Sequence, residues 1–536
     1  MSTSADVAAI TKGYTFDTPA IELGVLVNGD PVPEAKVRIS LSMLNRHGLV
    51  AGATGTGKTK TLQLMAEQIA RAGVSVFAAD IKGDLSGIAL PGKSSEKLLA
   101  RTSAIGQDWQ PHGCPVEFYA LGGQGGGVPL RATISSFGPI LLSKVLGLNE
   151  TQESTLGLVF HYCDTQGLPL LDLEDLRSVL AYLTSNEGKA DLKNLGGVSS
   201  ATAGVILRSL VTLQTQGGEE FFGEPEFDSR DLLRTTPDGQ GVISLLELPN
   251  LQDRPAIFST FLMWLLADLF HDLPEVGDID RPKLVFFFDE AHLLFADASK
   301  AFLQAIAQTV RLIRSKGVGI FFVTQTPKDV PEEVLAQLGS RVQHQLRAHT
   351  PNDAKALKAT VATYPNSGYD LAEVLQSLGI GEAIVTVLNP NGAPTPVAWT
   401  RMRAPEASMD PMDAQVMAGG VAQSAMMRKY GREVNRDSAY EMLTRKLEQG
   451  AAAAAAEAGR AAQEKAAAAE AKQREKDAAA AARASQPRTT QPRTTSSRPA
   501  PKSGVEKVLS SPTFWNKVIT VGGEIARGMM GTGRKR

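Results

Sequence analysis

The chain has 536 residues, 43% of them hydrophobic and 21% charged, with a net charge of -2. That is ordinary globular usage over a length that suits two or three domains, and it gives no whole-protein pull toward nucleic acid. Only two cysteines occur, Cys114 and Cys163, and neither has a CxxC partner. A disulfide framework or zinc site is therefore not expected, which suits a reducing, cytoplasmic setting.

The N-terminus, MSTSADVAAITKG, has no basic stretch followed by an apolar one, so it does not read as a signal peptide. Residues 1–44 hold short strand-like pieces such as IELGVLV, and read as a lead-in rather than a full domain. The main domain is expected over 45–405. It opens with GLVAG as a buried strand, then a loop, then KTLQLMAEQIARAG with apolar residues at helical spacing. VSVFAADIKGD follows as a second buried strand, and strand–helix–strand at this spacing predicts a parallel sheet.

The stretch of about 85–275 reads as a largely helical insertion, with GVISLLEL as a returning strand near Gly241. Its most apolar run, Ala256 to Phe270, is too short to span a bilayer and is expected as a core helix, so no transmembrane segment is predicted. The sheet resumes with PKLVFFFDEAH, a helix, and VGIFFVTQTP. A strand-like region, GEAIVTVLNPNGAPTPVAW, closes the domain. Residues 406–485 are Ala-rich with interleaved charges and predict a long exposed helix. Residues 486–536 read as a basic disordered tail, where ten Lys and Arg face two Glu for a local charge of about +8.

The loop between the first strand and helix carries the chemistry. Gly52, Ala53, Thr54, Gly55, Thr56, Gly57, Lys58 and Thr59 fit G-x-x-x-x-G-K-[ST], with Lys60 next. Glycines let backbone N–H groups close around phosphate oxygens, and the helix N-terminus adds partial positive charge. Lys58 is placed to reach the β- and γ-phosphates of ATP, and the Thr59 hydroxyl to ligate Mg²⁺. A phosphate cradle alone serves binding. LVFFFDEAH adds Asp289 at a strand end as a metal-side ligand and Glu290 as a general base for water. Gln325, after the next apolar strand, suits a γ-phosphate sensor or an ordinary strand-end amide.

Four arginines, Arg311, Arg314, Arg341 and Arg347, are candidates for a residue acting across a subunit interface, with Arg341 and Arg347 preferred because they follow the Gln325 strand. Asp80, Lys82 and Asp84 fall at a strand end where ligands bind, and fit either a role near the nucleotide or a loop salt bridge. GGQGGGVP, from Gly122, lacks a following Lys and reads as a loop. The seven histidines show no metal spacing, and His47 reads as structural.

HGLVAGATGTGKTKTLQ, VFAADIKGDLSG, LVFFFDEAHLLF and VRLIRSKGVGIFFVTQTP resemble the bacterial HerA-like ATPases, within the HerA–FtsK group of P-loop motors, over roughly Arg46 to Pro405. The resemblance implies an α/β fold with a RecA-like core, homo-oligomeric rings with a hexamer favoured, and ATP-driven movement on double-stranded DNA. It places Lys58 and Thr59 at phosphates and Mg²⁺, Asp289 and Glu290 at metal and water, and Gln325 as sensor. Archaeal members of the group carry a larger N-terminal β-barrel than the some 45 residues that precede the loop here. A nuclease or other protein partner is left open. The competing reading is an ATP-dependent switch or scaffold that moves nothing. A small-molecule kinase fits less well, since no acceptor-site signature appears.

Overall fold

A computed structural model describes residues 7–122, 125–191, 196–248, 255–295 and 300–484. Among them the strands are β1 (Ala20–Asn28), β2 (Asp30–Ser40), β3 (Gly48–Ala51), β4 (Ser75–Asp80), β5 (Val116–Leu121), β6 (Val128–Leu130), β7 (Ile243–Glu247), β8 (Leu284–Phe288), β9 (Val318–Thr324), β10 (Ser340–Gln343), β11 (Glu382–Thr386) and β12 (Ala398–Met402). They form one sheet of 12 strands in the order β2-β1-β12-β11-β10-β3-β9-β8-β4-β7-β5-β6. The run from β10 to β6 is parallel, and β11, β12, β1 and β2 continue it antiparallel. This is the α/β fold of P-loop NTPases, with a mainly parallel central sheet.

The central strands are buried on both faces. Every residue of β3, β4, β7, β8 and β9 is buried, as continuous apolar runs in a covered parallel sheet require. Three phenylalanines in β8 pack across to both neighbours. Phe286 lies 5.0 Å from Phe77 of β4, Phe287 5.4 Å from Phe321 and Phe288 5.8 Å from Phe322 of β9, centroid to centroid. Each such burial stabilises the fold by about 1.5–3 kcal/mol. The helix Lys58–Arg71 packs on β1, β3, β4 and β9. The helix Pro255–Asp272 is the expected core helix: Phe261, Leu262, Leu265 and Leu269 are fully buried. Among the described residues no helix is long and apolar enough to cross a membrane.

Three expected boundaries move. The lead-in 1–44 is not separate, because β1 and β2 extend the same sheet through β12. The largely helical stretch 85–275 returns to the sheet at the expected GVISLLEL strand, β7, but it also holds two strands not expected, β5 and β6, and the helices from Ile134 to Phe221 lie between β6 and β7. β6 was hidden in the Gly-rich run GGQGGGVP, of which residues 123 and 124 lie outside the described residues.

The third boundary is at 405. The compact unit runs Met1–Gly450. Residues after 405 complete it, with Tyr430, Met426 and Leu443 buried and the Arg131 guanidinium donating to the Tyr430 carbonyl at 3.2 Å. A second unit runs Ala451–Arg536. Its described part, residues 451–484, is helical, and its side chains are exposed to residue 482. The expected basic tail, 486–536, lies outside the described residues.

Candidate nucleotide site

Parallel strands put their C-terminal ends on one edge of a sheet, which is where open α/β folds bind ligands. Here β3, β9, β8, β4 and β7 stand side by side. The loop Gly52–Thr59, Gln325, Asp289–Glu290, Asp80–Lys82 and Glu247 therefore form one row, although they are scattered over nearly 300 residues of sequence.

The loop is held from below and behind. Gly52 N–H donates to the Thr324 carbonyl at 3.2 Å, and Ala53 N–H to the Gln345 carbonyl at 2.8 Å. The Thr56 hydroxyl donates to the Ala53 carbonyl at 2.7 Å. Gly52, Gly55 and Gly57 have φ of 157°, 81° and 117°, a region side chains rarely enter. At Gly52 an added Cβ would sit 2.5 Å from Cβ of His344.

His344 is a support the sequence reading missed. Its Nδ1 donates to the Glu382 carbonyl at 2.8 Å, and its Nε2 accepts from the Thr61 hydroxyl at 2.9 Å, which ties the first helical turn to β11. Burial holds its pKa down at about 4, so the ring is neutral and can play both parts. Nothing in GSRVQHQLRAH marks this histidine beforehand, because its partners are remote in sequence.

Lys58 is buried at the head of the helix, its ammonium donating to the Ala53 carbonyl at 3.2 Å, inside the cradle. Burial lowers its pKa, partly offset by Glu290 and Asp289. Thr59 follows on the same turn, while Thr54 and Gly55 are the exposed tip. Lys60 departs from expectation. Two residues along a helix is more than half a turn, and its ammonium bonds the Met409 carbonyl instead of facing the cradle.

Asp289 is 1% exposed. Its Oδ1 accepts the Glu290 N–H at 2.9 Å, and its Oδ2 has no hydrogen-bond partner. Burial, then the charge of Glu290, raises its pKa to about 7. A buried carboxylate oxygen without a partner beside the cradle fits a cation, and Thr59 would supply the second protein ligand. Among the described residues no cluster of three or more His, Cys, Asp or Glu is arranged to hold a metal by itself. Mg²⁺ sites that share phosphate and water ligands need no such cluster.

Glu290 has φ of 47°, unusual for a residue with a side chain. Its carboxylate pairs with Lys82 and lies 3.2 Å from His292 Nδ1. Of the alternatives for the IKGD segment, the structure contains the salt bridge, and the partner is Glu290. Asp80 builds the loop: its two oxygens accept the N–H groups of Lys82, Gly83, Asp84 and Leu85 at 2.7–3.3 Å.

The family model described as Helicase HerA-like C-terminal matches residues 26–536. The chain belongs to this HerA-like family. It is 23% identical to the DNA double-strand break repair helicase HerA of Sulfurisphaera tokodaii over 69% of this chain and 67% of that protein. It is 33% identical to a probable helicase of Methanocaldococcus jannaschii, over 27% of this chain and only 28% of the relative's length. Among solved structures, the plasmid coupling protein TrwB in complex with a non-hydrolysable ATP analogue is similar at a TM-score of 0.49 and 16% identity, over 76% of this chain and 94% of that one.

Within this HerA-like site the remaining candidates separate. Gln325 is exposed at the end of β9, between the phosphate loop and the Asp289 strand. Arg347 is exposed, and its guanidinium lies 3.4 Å from the carbonyl of Thr54 in its own loop. Arg341 does not join this cluster. It stands opposite Leu49, bonds the Thr363 carbonyl at 3.2 Å and lies over the Tyr364 ring. Arg311 is exposed on the helix Lys300–Ile313, and Arg314 is half-buried beyond its end.

Proposed function

We propose that this chain is an ATP-hydrolysing motor that works on double-stranded DNA as a homo-oligomeric ring, with a hexamer favoured. The observation that carries hydrolysis is the placement of Glu290 directly after Asp289, on the strand next but one to the phosphate loop. A binding-only switch needs the loop and Asp289 but no second carboxylate there.

In this reading Gly52–Lys58 hold the phosphates of ATP, and Thr59 and Asp289 hold Mg²⁺. Bound there, Mg²⁺ would supply positive charge to the phosphates. Glu290 orients a water and takes its proton as the water oxygen bonds to the γ-phosphorus. The bond from that phosphorus to the bridging oxygen breaks, leaving ADP and inorganic phosphate. Gln325 contacts the γ-phosphate or water from β9. Arg347 serves the nucleotide in its own subunit, since it already reaches its own loop. Arg311, Arg314 and Arg341 remain the candidates to act on a neighbour's site. The DNA assignment is supported by relatives named as helicases, and the ring follows from the family resemblance alone.

The test is ATP turnover with and without duplex DNA over a range of salt. Turnover rises with DNA, the rise weakens as salt increases, and Glu290→Gln lowers kcat roughly 100-fold or more while ATP binding persists. Turnover indifferent to DNA at every salt concentration would favour the switch or scaffold reading.

A further inference from the structure

The Glu290 carboxylate is engaged by a cation in this structure. The residue is 4% exposed, one carboxylate oxygen is ion-paired with the ammonium of Lys82, and the other lies 3.2 Å from His292 Nδ1. An oxygen already facing an ammonium has that approach occupied and offers less room for a water's hydrogen.

The backbone on both sides of the pair is fixed. Glu290 is pinned by its own N–H on Asp289 Oδ1 at 2.9 Å and by the Ala291 N–H on the Val323 carbonyl at 2.9 Å. The Lys82 loop is clamped by Asp80, whose oxygens take four consecutive N–H groups, and it turns at Gly83, where φ is 74°. What is left to move is the lysine side chain. It is 40% exposed against 5% for the glutamate, so the ammonium sits at the border between a buried carboxylate and solvent. Removing the cation without replacement leaves a buried charge, which is costly. Exchange is favourable only when another anion receives the ammonium and the reacting water and metal-bound phosphates take over around Glu290.

We propose that Lys82 is a positioning residue that latches Glu290, holding hydrolysis at a low rate until a backbone phosphate of bound DNA draws the ammonium away. The inference rests on Glu290 being the hydrolytic base. Its physical content is a trade of one ion pair for another. The same four-carbon stem that reaches the carboxylate swings the charge outward to a phosphate at the rim of the sheet.

The experiment compares the full chain with Lys82→Met, Lys82→Arg and Glu290→Gln. Lys82→Met keeps the stem and removes the cation. It raises kcat without DNA at least threefold, with the KM for ATP and the dissociation constant for a fluorescent ATP analogue both within twofold of the parent. Added duplex DNA then accelerates it less than it accelerates the parent. Lys82→Arg, which keeps a cation, rises well below Lys82→Met. In a Glu290→Gln background Lys82→Met gains nothing. A kcat equal to or below the parent's, or equal stimulation of both by DNA, overturns the latch. Unimpaired turnover by Glu290→Gln alone would instead overturn the assignment of the base beneath it. A parent indifferent to DNA overturns release by DNA, whatever Lys82→Met does without it.

Discussion

His47 shows how much one side chain decides here. Its Nδ1 accepts the Ile320 N–H at 3.0 Å, within the buried turn that leads into β3. That bond needs Nδ1 unprotonated, and burial, with Arg314 and Arg46 nearby, lowers the pKa to about 4. The native state therefore binds fewer protons than the unfolded chain between the ordinary value and about 4. Stability is fully present above the unfolded pKa and is lost as pH falls through that window. We predict that the stability gap between the parent and His47→Gln, measured by denaturant unfolding, narrows by up to about 3 kcal/mol as pH drops from neutral toward 4. A gap independent of pH would mean that this histidine titrates alike in the folded and unfolded chain. The residue type alone suggested a structural role; the missing information was which N–H it faces, and Ile320 is 273 positions away.

At the scale of elements, the segment after β12 has the largest consequence. It lies along the helix that follows the phosphate loop. Glu67 accepts the N–H groups of Glu406 and Ala407, Gln63 donates to the Ser408 carbonyl at 2.7 Å, and Arg71 pairs with Glu406 at 2.6 Å. Lys60 joins through Met409, which is why it is lost to the nucleotide. Ending the chain after Pro405 removes this strap and exposes the sites of Tyr430, Met426 and Leu443, each worth about 1.5–3 kcal/mol in burial. Ending it after Gly450 removes neither. We predict that the shorter chain melts at least roughly 10 °C lower or fails to fold, while the one ending at Gly450 keeps the melting temperature of the full chain. Equal stability of the two, by calorimetry, would show that 406–450 is dispensable. The helix Lys58–Arg71 and strands β3, β4, β8 and β9 were legible because long apolar runs and helical spacing survive without partners. β6 was not, because a three-residue strand has no period to read.

For the whole molecule, assembly is the open dimension. Arg347 reaches its own loop, Arg341 is bonded to Thr363 and Arg314 is half-buried, so of the three candidates for a neighbouring site Arg311, which is exposed, is the first to test. We predict that mass in solution rises from monomer to a ring-sized species with ATP and Mg²⁺. We also predict that Arg311→Ala lowers turnover at high protein concentration without weakening ATP binding. A monomer under all conditions with full turnover would remove the ring from the proposal.

The phosphate-loop motif, the Asp289–Glu290 pair, the buried strands around them and the family resemblance can be read from the order of amino acids. Those signals are local: a fixed spacing of glycines and a lysine, or an apolar run ending in carboxylates, has the same meaning in any context. Which side chains meet across the sheet edge depends on the folded arrangement. Folding places Lys82 on Glu290, His344 under the loop, Met409 on Lys60, and β1 and β2 in the main sheet. Such pairings join residues dozens to hundreds of positions apart, and strand order, which no periodicity encodes, is what brings them within bonding distance.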